Sequence, residues 1–131
     1  MTQRKAIVPK GMEAVYDRFH YAPAMRAGNL LFISGQVGRN EATLAIPDEA
    51  EAQITLAFEN LKTVLAEGGA TFGNLVEMVS YHVDIRDTLR TFVAVKDRYV
   101  SSDFPAWTAI GVAALAHPKF KIEIKCVALL P

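Results

Sequence analysis

Few side chains in this sequence have both the type and the placing to do chemistry, and Glu123 comes first. It stands between Lys121 and Lys125 on one face of an alternating stretch. There it is either a rung in a solvated charge ladder or a cleft carboxylate able to take a proton from water. Lys96 follows Phe92 by four residues and precedes Tyr99 by three, at the border of an apolar helical stripe. That spacing suits a snorkelling lysine with its stem on apolar surface, or a point-charge anchor for an anion. Trp107 reads as packing in a core or interface, or as a flat platform for a ligand. Tyr21 is a strand aromatic with a hydroxyl to offer, suited to a contact between copies or to a cleft. Ser34 and Gly35 allow close backbone approach at a strand bend.

Other chemistries find no footing. His20, His82 and His117 are far apart, and no His-x-His, Cys-x-x-Cys or His-Glu-x-x-His spacing occurs, so no metal is expected. Ser34-Gly35-Gln36-Val37-Gly38 has two glycines and no lysine in the position of a phosphate loop. The residue two before Ser34 is Phe32 rather than the glycine of a hydrolase elbow. Cys126 is the one cysteine, within the apolar run Ile124-Lys125-Cys126-Val127-Ala128, and reads as a small buried hydrophobe.

These residues must be positioned by a small scaffold. The length, 131 residues, suits one domain spanning residues 1–131. Ala6-Ile7-Val8 suggests a short strand, and Tyr21 to Arg26 a second. Ala27-Gly28-Asn29 reads as a tight turn before the apolar strand Leu30 to Val37, which looks covered on both faces. Asp48 with Glu51 resembles a capping box, followed by Ile54, Ala57, Phe58, Leu61, Val64 and Leu65 at helical spacing and a stop at Gly68-Gly69. Val76 to Ile85 reads as a strand with Val79, Tyr81, Val83 and Ile85 on one face and Met78, Ser80 and His82 on the other. A second helix starts at Asp87 with Leu89, Phe92, Val95 and Tyr99 as its stripe. Trp107 to Ala113 and Phe120 to Leu129 complete the strands, the last alternating cleanly.

The order of elements predicts an α+β fold, one mixed sheet with two helices on one face. Two helices leave the other face uncovered while several strands look apolar on both. Self-association is the expected cover. Fourteen basic side chains balance fourteen acidic ones. Nothing in that balance favours nucleic acid or an anionic membrane as a partner. No apolar run is long enough to span a bilayer. Met1-Thr2-Gln3-Arg4-Lys5 is basic without a following apolar segment, and the lone cysteine suits a reducing compartment, so a cytoplasmic protein is expected.

Several blocks occur in a telling order: Gly28 to Gln36, Asn60-Leu61, Tyr81 to Ile85, Phe104-Pro105-Ala106 and Lys121 to Ile124. Together they resemble the RidA/YjgF family over roughly residues 20–130. The resemblance implies a chorismate-mutase-like α+β domain, a homotrimer, and ligand clefts between subunits. It also implies hydrolysis of reactive imines, the tautomers of enamines such as 2-aminoacrylate, to a 2-keto acid and ammonia without a cofactor. Residue by residue, Tyr21 matches the family's cleft tyrosine, Ser34 and Gly35 the serine-glycine lining, and Glu123 the carboxylate that positions water. Lys96 takes an asparagine's place. Trp107 stands where the family presents the arginine that grips the substrate carboxylate.

An indole cannot form the two-pronged salt link of a guanidinium. Losing a buried charge-assisted anchor costs roughly 2–4 kcal/mol, a tenfold to thousandfold loss of affinity. The expected function is therefore a RidA-like small-molecule protein, hydrolysing an imine or enamine other than 2-iminopropionate. Two alternatives stand beside it: an aminomuconate-type deaminase in which Trp107 stacks on a conjugated chain, and a metabolite sensor without turnover. Neutral charge and unpaired histidines argue against ribonuclease chemistry.

Overall fold

The computed structural model describes residues 3–131, so Met1 and Thr2 of the basic N-terminal stretch lie outside the described residues. Six strands form one mixed sheet: β1 (Arg4–Ile7), β2 (Ala24–Ala27), β3 (Leu30–Val37), β4 (Leu75–Val83), β5 (Ala106–Val112) and β6 (Ile122–Leu129). Their order across the sheet is β1-β2-β3-β6-β4-β5. The β4–β5 pair is parallel and every other neighbouring pair is antiparallel. A parallel pair needs a crossover, and α3 (Ile85–Tyr99) supplies it. The other helices are α1 (Glu13–Asp17) and α2 (Ala50–Glu67). No helix among the described residues is long and apolar enough to cross a membrane.

Local chemistry accounts for the strongest elements. β2 and β3 pair from Ala27 opposite Leu30, and the two-residue turn between them needs Gly28 at φ +61°. The α2 stripe of Ile54, Ala57, Phe58, Leu61, Val64 and Leu65 is buried as its spacing requires. It packs with Phe92 and Val95 of α3 over Leu31, Ile33, Met78, Ile122, Ile124 and Cys126 of the sheet. The helix stops at Gly68, with Gly69 at φ +83°.

Four expectations require correction. Asp48 forms no capping box: Glu49 is the N-cap without a side-chain bond, and Asp48 instead meets the Lys119 ammonium at 2.7 Å. Helix α3 begins at Ile85, launched by Asp84 in the left-handed region at φ +53°, so Ile85 leaves the strand it was read into. The five-residue α1 was not foreseen, since one turn and a half is too short to show a period. Strand β3 is covered on one face only: Leu31 and Ile33 are buried, whereas Phe32 is 45 % exposed. Phe32 shares its face with Ile110 and Leu129, which are 39 % and 45 % exposed, and this face lies opposite the two long helices.

The two faces of β4 are buried unequally. Met78, Ser80 and His82 lie under the helices and are fully buried, while Val79, Tyr81 and Val83 are half-buried on the open face. Polar side chains tolerate that interior because they satisfy one another. Trp107 Nε1 donates to Ser80 Oγ at 2.9 Å, Ser80 Oγ meets His82 Nε2 at 2.8 Å, and His82 Nδ1 meets Thr88 Oγ1 at 3.1 Å.

Candidate active site

The site is made where β3 bends. Its pairing with β6 runs from Ile33–Cys126 to Gln36–Ile124, and the irregularity between them holds Ser34 and Gly35. Beyond it Val37 pairs with Glu123, whose other neighbour is Tyr81 of β4. Glu123 thus points from β6 to the open face, and its carboxyl lies against the Gly35 backbone. A Cβ added at Gly35 would sit 2.5 Å from Glu123 Cδ. Burial pushes the Glu123 carboxyl up from the ordinary carboxylate range, because the charged form loses water.

Glu123 and Gly35 line a cavity of about 550 Å³ together with Phe19, Tyr21, Arg39, His117 and Phe120. Burial also raises the Tyr21 phenol, reinforced by the negative charge of Glu41 and to a smaller degree by that of Glu123. Ser34 does not line the cavity. Its hydroxyl donates to the Ala22 carbonyl at 2.6 Å and its amide to the Pro23 carbonyl at 2.9 Å. Those two bonds pin the segment that carries Tyr21 to β3.

Arg39 is the cation of this cavity, and it is held on every side. Its Nε donates to Glu41 Oε1 at 2.6 Å and its Nη2 to Glu41 Oε2 at 3.3 Å. The guanidinium lies 5.2 Å from the Phe19 ring centre and 5.6 Å from that of Phe120. Burial alone would lower its affinity for the proton, but the bonds to Glu41 outweigh that and raise it.

Helix α2 fixes both walls through two buried amides. Asn60 donates to the carbonyls of Val37 and Arg39 at 2.9 and 2.8 Å. Gln53 donates to the carbonyls of Pro47 and Lys119 at 3.1 and 2.9 Å and accepts from the Lys121 amide at 2.6 Å. Each ties a loop, which has few backbone bonds of its own, to a rigid helix.

Lys96 and Trp107 form a separate pair. Trp107 pairs with Met78 on the helix-covered face of the sheet, stacked on Phe92 at 5.9 Å. The Lys96 ammonium lies 4.9 Å from the Trp107 ring centre and 5.9 Å from that of Phe104, with Asp97 3.6 Å away. Within one chain the sheet separates this pair from Glu123. The structure therefore brings Tyr21, Gly35 and Glu123 together and keeps Lys96 and Trp107 apart from them.

Sequence reading missed Arg39, Phe19 and Phe120 as cavity residues, and Glu41 as the partner of Arg39. Arg39 and Glu41 lie in a polar connection where two charges two residues apart carry no periodic signal. Cys126 is no nucleophile: burial pushes its thiol up to about 12. No group of three metal-binding side chains is assembled among the described residues. A basic carboxyl, a phenol and an arginine around a largely apolar cavity can bind a small molecule and move a proton.

Residues 12–130 match the family model described as Endoribonuclease L-PSP. The chain is 39 % identical over 132 residues to the RutC family protein YjgH of Escherichia coli (strain K12), covering 100 % of this chain and 98 % of that protein. It is 32 % identical over 117 residues to the 2-iminobutanoate/2-iminopropanoate deaminase of Dermatophagoides farinae, covering 84 % and 85 % respectively. A solved structure of the protein YJGH matches with a TM-score of 0.90 at 38 % identity, over 98 % of each chain. With the ordered sequence blocks, the sheet topology and these matches in agreement, the chain belongs to the RidA/YjgF family.

Proposed function

We propose that the protein hydrolyses an imine or enamine other than 2-iminopropionate to a carbonyl compound and ammonia, in clefts completed where three copies meet. The observation that carries this reading is the Glu123 carboxyl, seated on Gly35 at the wall of the cavity and made more basic by burial. A carboxylate of raised basicity is a better acceptor for a water proton near neutral pH. As the water oxygen attacks the imine carbon, Glu123 takes its proton and the C=N electron pair moves to nitrogen. Protonation of that nitrogen gives a carbinolamine. The hydroxyl proton then passes to the amine nitrogen, the C–N bond breaks as C=O forms, and ammonia leaves. The Tyr21 hydroxyl lines the same cavity and is suited to orient the imine nitrogen.

A substrate different from 2-iminopropionate is favoured by Trp107. If it stands in the arginine's place, as the resemblance implies, the usual carboxylate grip is missing, and the structure shows its ring occupied by Phe92 and Lys96. Assembly as a homotrimer is supported by the uncovered face bearing Phe32, Ile110 and Leu129. Light scattering should then give three times the 14.4 kDa chain mass.

The test is an amino-acid oxidase assay that generates imino acids of different sizes, with semicarbazide trapping to report how fast each disappears. Larger imines should be cleared and the alanine-derived one hardly at all. Glu123→Gln should lower turnover by about a hundredfold or more while sparing binding. Rapid clearance of the alanine-derived imine rejects the altered specificity. Failure with every imine rejects hydrolysis and leaves a metabolite-binding role.

A further inference from the structure

Among the described residues, four that are not glycine hold a positive φ: His20, Leu44, Asp84 and Asp103. Histidine and aspartate tolerate that region better than most types, aspartate because its short polar side chain can bond locally. Leucine has no such compensation. At φ +67° Leu44 stands where glycine or asparagine would fit with less strain. Asn40 holds it there. The Leu44 amide donates to the Asn40 carbonyl at 2.6 Å, and the Asn40 amide to the Ala45 carbonyl at 2.8 Å. Asn40 Oδ1 accepts from the Ala42 and Thr43 amides at 2.9 and 3.0 Å. The bond at position 44 uses backbone atoms alone, so a glycine there would close the loop equally well. What only leucine adds is its side chain, half-buried where Leu44 lines the Glu123 cavity.

Ile46 and Phe120 line the same cavity. One amide nitrogen, Gln53 Nε2, donates to the Pro47 carbonyl at 3.1 Å and to the Lys119 carbonyl at 2.9 Å. Those carbonyls lie next in sequence to Ile46 and Phe120, so a single side chain of α2 holds both apolar walls. A recess fixed in this way binds hydrocarbon by removing it from water. Each methylene taken in strengthens binding about fourfold.

We infer that Leu44, with Ile46 and Phe120, receives the side chain of the substrate, which is an imine bearing a branched aliphatic or aromatic group. Leu44 is then a specificity-determining residue, retained at a strained position for its apolar bulk. This role rests on the proposed function only in taking the Glu123 cavity as the reactive site.

Calorimetry with pyruvate and 4-methyl-2-oxopentanoate provides the test, because the two share a keto-acid head and differ only in side chain. The wild-type protein should bind 4-methyl-2-oxopentanoate about tenfold or more tightly than pyruvate. Leu44→Gly should cut that preference to about threefold or less and leave pyruvate affinity within about twofold. Its melting temperature should stay within a few degrees, since released backbone strain offsets the lost contact. Leu44→Met keeps the apolar volume and should keep the preference. If Leu44→Gly fails to fold, Leu44→Asn, which also suits a positive φ, carries the same comparison. Light scattering on either variant should give the wild-type mass. Binding of neither acid, no preference in the wild type, or a preference that survives in Leu44→Gly overturns the role. So does an equal loss for both acids, or a changed mass, which would make Leu44 a contact between copies. The expected binding pattern without clearance of any imine sinks the hydrolase reading alone. Clearance of imines at equal rates whatever their side chain would leave hydrolysis standing and remove this role.

Discussion

The carboxyl of Glu123 rests directly on the backbone of Gly35, with no room for a methyl group between them. A side chain at position 35 would have to push that carboxyl aside. Its flexible end can move without disturbing the sheet, so the damage falls on chemistry rather than folding. Gly35→Ala should keep its melting temperature within a few degrees and lose about tenfold to a hundredfold in kcat for the imine that wild type clears best. A variant that unfolds, or one with full activity, would contradict this placing of Glu123.

Asn60 holds the carbonyls of Val37 and Arg39 from inside the protein. Asn60→Ala should destabilise the fold by about 1–3 kcal/mol in urea denaturation, because two acceptors lose a buried donor. Asn60→Asp should be worse near neutral pH, since a carboxylate would face two carbonyl oxygens. A neutral effect of both would mean that water replaces the amide.

His82 is fully buried, with Ser80 and Thr88 at its nitrogens and the Phe92 ring at 4.8 Å. Burial lowers its proton affinity below the ordinary value of 6.5. The unfolded chain then takes up a proton that the folded chain refuses, so stability is highest above that value and falls as pH drops toward the folded one. Denaturation from about pH 8 to about pH 5 should show a steeper loss for wild type than for His82→Gln, which cannot titrate. Parallel profiles would show that His82 charges freely in the fold.

Lys96 covers the single tryptophan. Lys96→Met should shift the Trp107 emission and cost about 0.5–2 kcal/mol of stability. Its affinity for small 2-keto acids should not change. A tenfold loss of that affinity would instead make Lys96 an anion anchor brought to the cleft from another copy.

The core was legible in the residues themselves. Apolar side chains at helical spacing from Ile54 to Leu65, and alternation from Phe120 to Ala128, need only local geometry to choose helix, strand and inner face. Glu123 and Gly35 were legible as candidates through the resemblance to the RidA/YjgF family, since residue type alone also suits a charge ladder and a strand bend. The N-terminus of α2 was not. Asp48 sits where a cap could form, but Lys119 is nearer its carboxylate in space, and an ion pair made by tertiary contact won.

Residue order alone thus determined the two long helices, the alternation of β6 and the family to which the chain belongs. Which side of the sheet each candidate occupies was decided by the tertiary structure. The bulge at Ser34-Gly35 brings Gly35 against Glu123, while the β4–β5 register places Trp107 beneath the helices with Lys96. The Arg39–Glu41 pair also belongs to the folded state. Its distances depend on α2 holding a loop through Asn60, a contact between residues 21 positions apart that no local pattern encodes.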